Sequence, residues 1–385
     1  MPKPLEGVRV MEFGHVAAGP FAGMVLADLG ADVVKIEPPG GDHMRRWPPF
    51  VELVDGTEFS LNFASVNRGK RSICADLKDP TDRARIAELV TSADVIVENY
   101  RPGVLERLGF GFDRVSGGHS RGVVYCSVSG YGQRGPYRDR GAFDVVIQAE
   151  AGLMSVTGES DGPPVKCGVP VGDFVAGLYA SVSVLAALET RRLESRSVYV
   201  DCPMLSSLLA ISALQTSQYW GTGDPPVPLG SAHPRNAPYQ AFRAQDRPFA
   251  IAAGTDELWH VVAQIVDRED LLADHRFTTQ RDRAAHQHEL AAELQREFVA
   301  RPAEHWLKIL RDRGVPSGPV NGYADILDDP HVRALQLVGS MLLPDDTETP
   351  TVRFPAELSG VDLTSARSAP LLGGGADEVI AEWLN

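Results

Sequence analysis

Short β-branched runs alternate with helix-spaced runs along the first half of the chain, and this alternation restricts the fold more than any other feature. Val8 to Phe13 is apolar, Gly19 to Gly30 carries helical spacing, and Asp32 to Glu37 is apolar and β-branched again, which makes a βαβ unit. The pattern continues with a strand from Ser72 to Leu77, a polar helix opening at Asp79-Pro80, a strand from Asp94 to Glu98, a short helix near Val104 to Leu108, and a strand from Val123 to Ser129. Such alternation predicts an α/β fold, a parallel sheet with helices on its faces. Further on, Phe174, Leu178, Val182, Leu185 and Leu188 recur every three or four residues and predict a long helix from Phe174 to about Arg192 with one buried face. Ser197 to Cys202 reads as another strand and Met204 to about Trp220 as another helix.

Domain limits follow from the proline distribution. Residues 1–220 carry the alternation, and 221–238 hold five prolines, at 225, 226, 228, 234 and 238, which exclude regular structure. Residues 239–314 open with a strand pair around 241–253 and continue with Arg-, His- and Glu-rich helices, a smaller α+β domain. Residues 315–385 hold a strand-like stretch at 340–343 and a short C-terminal helix.

Composition narrows the partners. Acidic residues number 51 against 37 basic ones, a formal charge of −14, so a nucleic acid is not the expected partner. Cys74, Cys126, Cys167 and Cys202 lie 35 to 52 residues apart with no CxxC, which supports neither a disulfide framework nor a zinc knuckle. The first residues lack the apolar core of a signal peptide, and no run of about 18 apolar residues occurs. A cytoplasmic protein with no membrane partner is expected.

Familiar catalytic signatures are incomplete. The turn after the first strand, Gly14-His15-Val16-Ala17-Ala18-Gly19, lacks the second glycine of a dinucleotide fingerprint. Gly158-Glu159-Ser160-Asp161-Gly162 matches GxSxG, but Pro163-Pro164 follow where a nucleophile elbow needs a helix. His286 and His288 are two apart, which on a helix turns them to different sides, so no metal site is expected. Lys35, Arg68, Lys70, Arg71, Arg101 and Arg107 are either a solvated surface or a group that holds a phosphorylated ligand at the strand ends. Asp173, in Gly172-Asp173-Phe174, stands where the N-cap of the long helix is expected. The same position suits a nucleophile, ionised at neutral pH and held by backbone N–H groups beside a glycine that leaves room for a substrate.

Taken in order, AGPFAGMVLADLGADVVKIEPPGGD (18–42), NRGKRSICADLKDP (67–80), DVIVENYRPGVLERLG (94–109), VYCSVSGYGQRGPY (124–137), GVPVGDFVAGLYA (168–180) and the closing SAPLLGGGADEVI resemble the family III coenzyme A transferases. These are the formyl-CoA transferase and carnitine CoA transferase group, whose fold is shared with α-methylacyl-CoA racemase. The resemblance implies that Asp173 is the nucleophile. It attacks the donor thioester to give an aspartyl anhydride, passes through an aspartyl-CoA thioester, and returns coenzyme A to an acceptor acid. It also implies contacts to CoA from His15, Val16, Ala17, Arg68, Lys70, Asn99, Tyr100, Arg101 and Arg107. No permanently bound cofactor is implied, since CoA and acyl-CoA are substrates.

Racemases of this fold place a His before the Asp of the helix near residue 143, whereas this chain has Phe143-Asp144, which favours transfer over racemisation. Residues 230–239, GSAHPRNAPY, replace the glycine run of formyl-CoA transferase. With DCPMLSS they look closer to the branch that moves CoA between succinate and other dicarboxylates. Phe143, Asp144, Gly172 and Arg235 are then substrate-pocket candidates, Arg235 as partner of a distal carboxylate. By resemblance the fold is a Rossmann-like large domain built from both chain ends plus a smaller domain, in an interlocked homodimer. The alternatives are a 2-methylacyl-CoA racemase and a catalytically silent acyl-CoA-binding protein.

Overall fold

The computed structural model describes residues 1–363 and 367–384. Six strands build one sheet: β1 (Arg9–Phe13), β2 (Asp32–Glu37), β3 (Lys70–Cys74), β4 (Val95–Glu98), β5 (Val124–Ser129) and β6 (Val198–Pro203). Their order is β3-β2-β1-β4-β5-β6, and every neighbouring pair is parallel. Strands buried on both faces need continuous apolar runs rather than alternation, which is why β1, β4 and β5 are almost wholly buried. The order reverses between β1 and β4, and the crevice outside the carboxyl ends of those two strands is where such sheets hold ligands.

Three helices position that crevice. α1 (Ala18–Asp28) joins β1 to β2 and is buried nearly all round, as its uniformly apolar sequence requires. α2 (Asp144–Glu150) leads toward α3 (Val171–Glu194), which packs on the same sheet face as α1 through Ala176, Ala180 and Val184. The two long helices cross at Gly177, where a Cβ would fall 2.9 Å from both the Ala18 carbonyl oxygen and the Phe21 ring. α3 is long and apolar enough to span a bilayer by length and composition. Here it serves as a core helix, but its buried face is the small-residue side with Ala176, Ala180 and Val184, which corrects the expected one: Leu178, Val182 and Leu185 are exposed on the outer side.

The opposite sheet face is covered by the helix Pro80–Val90 and by α4 (Ala376–Leu384). Arg9 donates to the carbonyls of Trp383 and Glu382 at 3.2 and 2.8 Å, and Trp383 Nε1 donates to Asp32 at 2.8 Å. The large unit therefore comprises Met1–Leu153, Lys166–Gly223 and Arg333–Asn385, and both chain ends build it.

The second unit takes in Met154–Val165 and Asp224–Val332, wider than the expected 239–314. It extends further because Ser317–Pro319 completes a three-stranded antiparallel sheet with Pro248–Ala252 and Tyr239–Arg243. Its own core gathers Phe249, Trp259, Leu294, Phe298 and Leu307 from the sheet and its helices, the expected α+β arrangement.

Local differences have local causes. The expected helix over 204–220 is two helices, Met204–Ile211 and Ala213–Thr222, parted at Ser212, whose hydroxyl bonds back to the Leu208 carbonyl at 2.9 Å. The stretch expected at 104–108 is a wide helical turn, Glu106–Phe110, interrupted by Gly109 at φ +94°. The strand expected at 340–343 is Val338–Leu342, paired antiparallel with Glu348–Val352.

Candidate active site

β1 runs out into Gly14–Ala17 and β4 into Asn99–Arg101, so the two loops meet at the reversal point of the sheet. His15 N–H donates to Asn99 Oδ1 at 2.8 Å, and Asn99 Nδ2 donates to the His15 carbonyl at 2.8 Å. The His15 ring shares a 2.9 Å hydrogen bond between Nε2 and the Tyr100 hydroxyl, leaving Nδ1 buried without a partner among the described residues. Burial, helped by the charge of Lys35, lowers the His15 pKa, so the imidazole is neutral around pH 7. Burial raises that of Tyr100. Val16 and Ala17 complete the loop, the latter at the cap position of α1. This end of the sheet thus presents neutral hydrogen-bonding groups.

The expected cation group divides in two. Lys70 is buried, with Nζ 2.7 Å from Glu12 and from the Pro20 carbonyl and 2.9 Å from Asn67. Burial, opposed by Glu12 and reinforced by Lys35, brings Lys70 down to about 8. Arg68 is buried on Asp28 at 2.7 Å, Lys35 lies between Glu12 and Asp42 at 2.9 and 3.0 Å, and Arg71 pairs with Asp32 and Glu382. These four neutralise acids inside the large unit, which corrects the expectation that Arg68 and Lys70 face a phosphate. Arg101 and Arg107 are exposed, as a phosphate contact requires.

Asp173 lies in the first turn of α3, which begins at Val171 with Pro170 at the cap position. The capping reading of Asp173 is therefore corrected: the acceptor for the helix start is Asp144, whose Oδ1 takes the Gly172 N–H at 2.8 Å. Asp144 is held in turn by Gln148 Nε2 at 2.7 Å, and the buried Gln148 accepts the Cys167 N–H at 2.8 Å. A Cβ on Gly172 would fall 2.9 Å from the Asp144 carboxylate, so a larger residue would push Asp144 aside. Phe174 packs on Phe21 with ring centroids 4.7 Å apart, so the first turns of α3 and α1 lie side by side.

No cation acts on the Asp173 carboxyl among the described residues. Burial pushes it up to about 7 and the charge of Asp144 adds to the rise. This corrects the expectation of a carboxylate held ionised by backbone N–H groups. A carboxyl poised near neutrality and away from counter-ions is suited to nucleophilic work.

Phe143 and Arg235 are the remaining candidates. Phe143 precedes α2 and is 72% exposed. Arg235 belongs to the second unit, exposed, with its N–H on His233 Nδ1 at 3.1 Å. A cavity of ≈ 300 Å³ bordered by Glu98, Arg101, Gln133 and Tyr199 opens on the sheet face opposite α3. Burial pushes Glu98 there up to about 7. Among the described residues no three His, Cys, Asp or Glu side chains are grouped as metal ligands. Sequence reasoning missed Asp42 and Gln148. Asp42 had a visible signal, an acid closing the EPPGGD turn after β2, whereas Gln148 had none.

The model of the family described as CoA-transferase family III matches residues 5–376. A succinate–glutarate CoA-transferase from Agrobacterium fabrum is 37% identical over 382 residues, covering 98% of this chain and 95% of that protein. An acetyl-CoA:oxalate CoA-transferase from Acetobacter aceti is 36% identical, covering 93% and 90%. The crystal structure of a CaiB/BaiF family protein from Brucella suis matches with a TM-score of 0.89 at 34% identity, covering 100% of both chains.

Proposed function

The chain belongs to CoA-transferase family III and is a CoA-transferase, and from that premise we infer that it moves coenzyme A from a dicarboxylic acyl-CoA to a free carboxylic acid through covalent intermediates on Asp173. The observation that carries this reading is the uncompensated Asp173 carboxyl in the first turn of a 24-residue helix. Ionised Asp173 attacks the thioester carbonyl, the C–S bond breaks, and an acyl-aspartyl anhydride and CoA thiolate result. The thiolate then attacks the aspartyl carbonyl and expels the donor acid, leaving an aspartyl-CoA thioester. The acceptor carboxylate displaces the thiolate to form a second anhydride. Attack of the thiolate on its acyl carbon yields the new acyl-CoA and restores the Asp173 carboxylate. Negative charge develops at the amino end of α3, whose dipole favours it.

Loop 14–17, Tyr100, Arg101 and Arg107 are the CoA contacts in this reading. The names of relatives support succinyl-CoA as donor and glutarate or oxalate as acceptors to be tried first. Phe143 supplies neither acid nor base beside Asp144, so α-proton exchange is not part of the reading. The exposed Leu178, Val182 and Leu185 on α3 support association of two copies through that helix. Incubation with succinyl-CoA and hydroxylamine should convert Asp173 to its hydroxamate, seen as a mass shift on the peptide containing it. Its absence, with transfer activity present, overturns the covalent route.

A further inference from the structure

The loop between β1 and α1 holds a backbone conformation that its own sequence disfavours. Val16 has φ +63°, the left-handed region that a β-branched residue rarely enters. Contacts from three distant residues keep it there. Asp42, fully buried, receives the Val16 N–H on its two carboxylate oxygens at 3.2 and 3.1 Å, and the Met44 N–H at 2.9 Å. Lys35, also fully buried, pairs with Asp42 at 3.0 Å and donates to the Gly14 carbonyl at 2.6 Å. Asn99 uses both ends of its amide on the His15 backbone. Every residue from Gly14 to Val16 thus has a backbone group fixed by a side chain from outside the loop. Burial opposes the charge on Asp42, but Lys35 and the Met44 N–H outweigh it and hold the carboxyl below its usual range.

A buried ion pair is poor at adding stability, so its presence behind one strained loop calls for another role. Strained backbone collects at functional sites, where surrounding structure over-determines it.

We propose that Asp42 is a positioning residue of this enzyme: its carboxylate, backed by Lys35, fixes Val16 in the left-handed conformation and so shapes the loop at which coenzyme A binds. Asn99 acts on the same loop through both ends of its amide. The inference rests on the reading of loop 14–17 as a CoA contact.

The test is calorimetric titration of the full chain with free coenzyme A, alongside steady-state transfer kinetics, for Asp42→Asn, Asn99→Ala, Val16→Gly and the Asp42→Asn/Val16→Gly double variant. Asp42→Asn should weaken CoA binding by about tenfold or more while kcat at saturating acyl-CoA stays within about threefold. The loss should shrink in the Val16→Gly background, because glycine takes a positive φ without help. A purely structural role would instead lower the melting temperature without separating KM from kcat. If Asp42→Asn does not fold, Asn99→Ala, which removes no charge, carries the test and should also weaken binding. Unchanged CoA affinity in a folded Asp42→Asn or Asn99→Ala, or equal losses in both Val16 backgrounds, overturns the proposal alone. Failure of the unmodified protein to bind CoA overturns the reading of the site, and the proposal with it.

Discussion

Replacing Asp173 with Asn should abolish transfer and at the same time make the protein more stable at alkaline pH. The carboxyl ionises near 3.8 in an unfolded chain and is pushed up to about 7 in the folded one. Holding it ionised in the folded state above that pH costs about 4 kcal/mol, at about 1.4 kcal/mol for each pH unit of difference. The sign follows from proton counting. Below about pH 4 both states carry the neutral acid and Asp173 is without effect. Between about pH 4 and pH 7 the unfolded state has released the proton that the folded state retains, so stability falls as pH rises. Above about 7 the penalty is complete. Asn removes it but needs hydrogen bonds of its own, so the expected net gain at pH 8 is about 1–3 kcal/mol. For a chain of this length that is a rise of about 1–4 °C in melting temperature. Thermal melts of both proteins at pH 5, 6, 7 and 8 are the assay. A difference that stays flat over this range, or an Asn variant less stable at pH 8, refutes the account of Asp173 as a half-buried carboxyl without a counter-ion.

Asp144→Asn keeps an acceptor for the Gly172 N–H but removes a neighbouring charge, so the acid limb of the pH–rate profile should move to lower pH. An unmoved limb shows that Asp144 does not act on Asp173 through its charge. Lys70→Met, which takes one cation from Glu12 inside the core, should destabilise by about 3–5 kcal/mol in denaturant titration, and its main effect is on folding. Arg107→Ala should do the reverse, raising KM for acyl-CoA while stability stays within about 0.5 kcal/mol, because the side chain is exposed.

Much of the sheet was legible because buried parallel strands need unbroken apolar runs, and DVVKIE or VYCSVS announce them locally. The site was legible only as far as residue types could carry it. A Gly-Asp before a long helix resembles a cap from spacing alone. The true acceptor, Asp144, lies 28 residues away from the N–H it receives, and nothing in the helix signals it. The cations misled for a similar reason. Arg68 and Lys70 look like phosphate ligands until folding brings in Asp28 and Glu12, partners 40 and 58 residues earlier in the chain. Asn99 stands in a stretch whose resemblance to the family implies a CoA contact, and its amide is turned to a backbone 84 residues off. Pairing over such separations is set by topology, which composition and periodicity do not encode.

The closure of the large unit by both ends of the chain imposes an order on its birth. Arg9 and Asp32 sit in β1 and β2, and their partners Glu382 and Trp383 leave the ribosome some 350 residues later. At roughly 5–20 residues per second that is a wait of roughly 20–70 s. During it the face of β1 to β3 that α4 will cover stays open to water and to chaperones. The second unit, nearly all of it from one continuous stretch, is complete before then. Each nascent chain therefore passes through a stage with a finished small unit and an unsealed sheet, and loss of Ala376–Leu384 would strand it there.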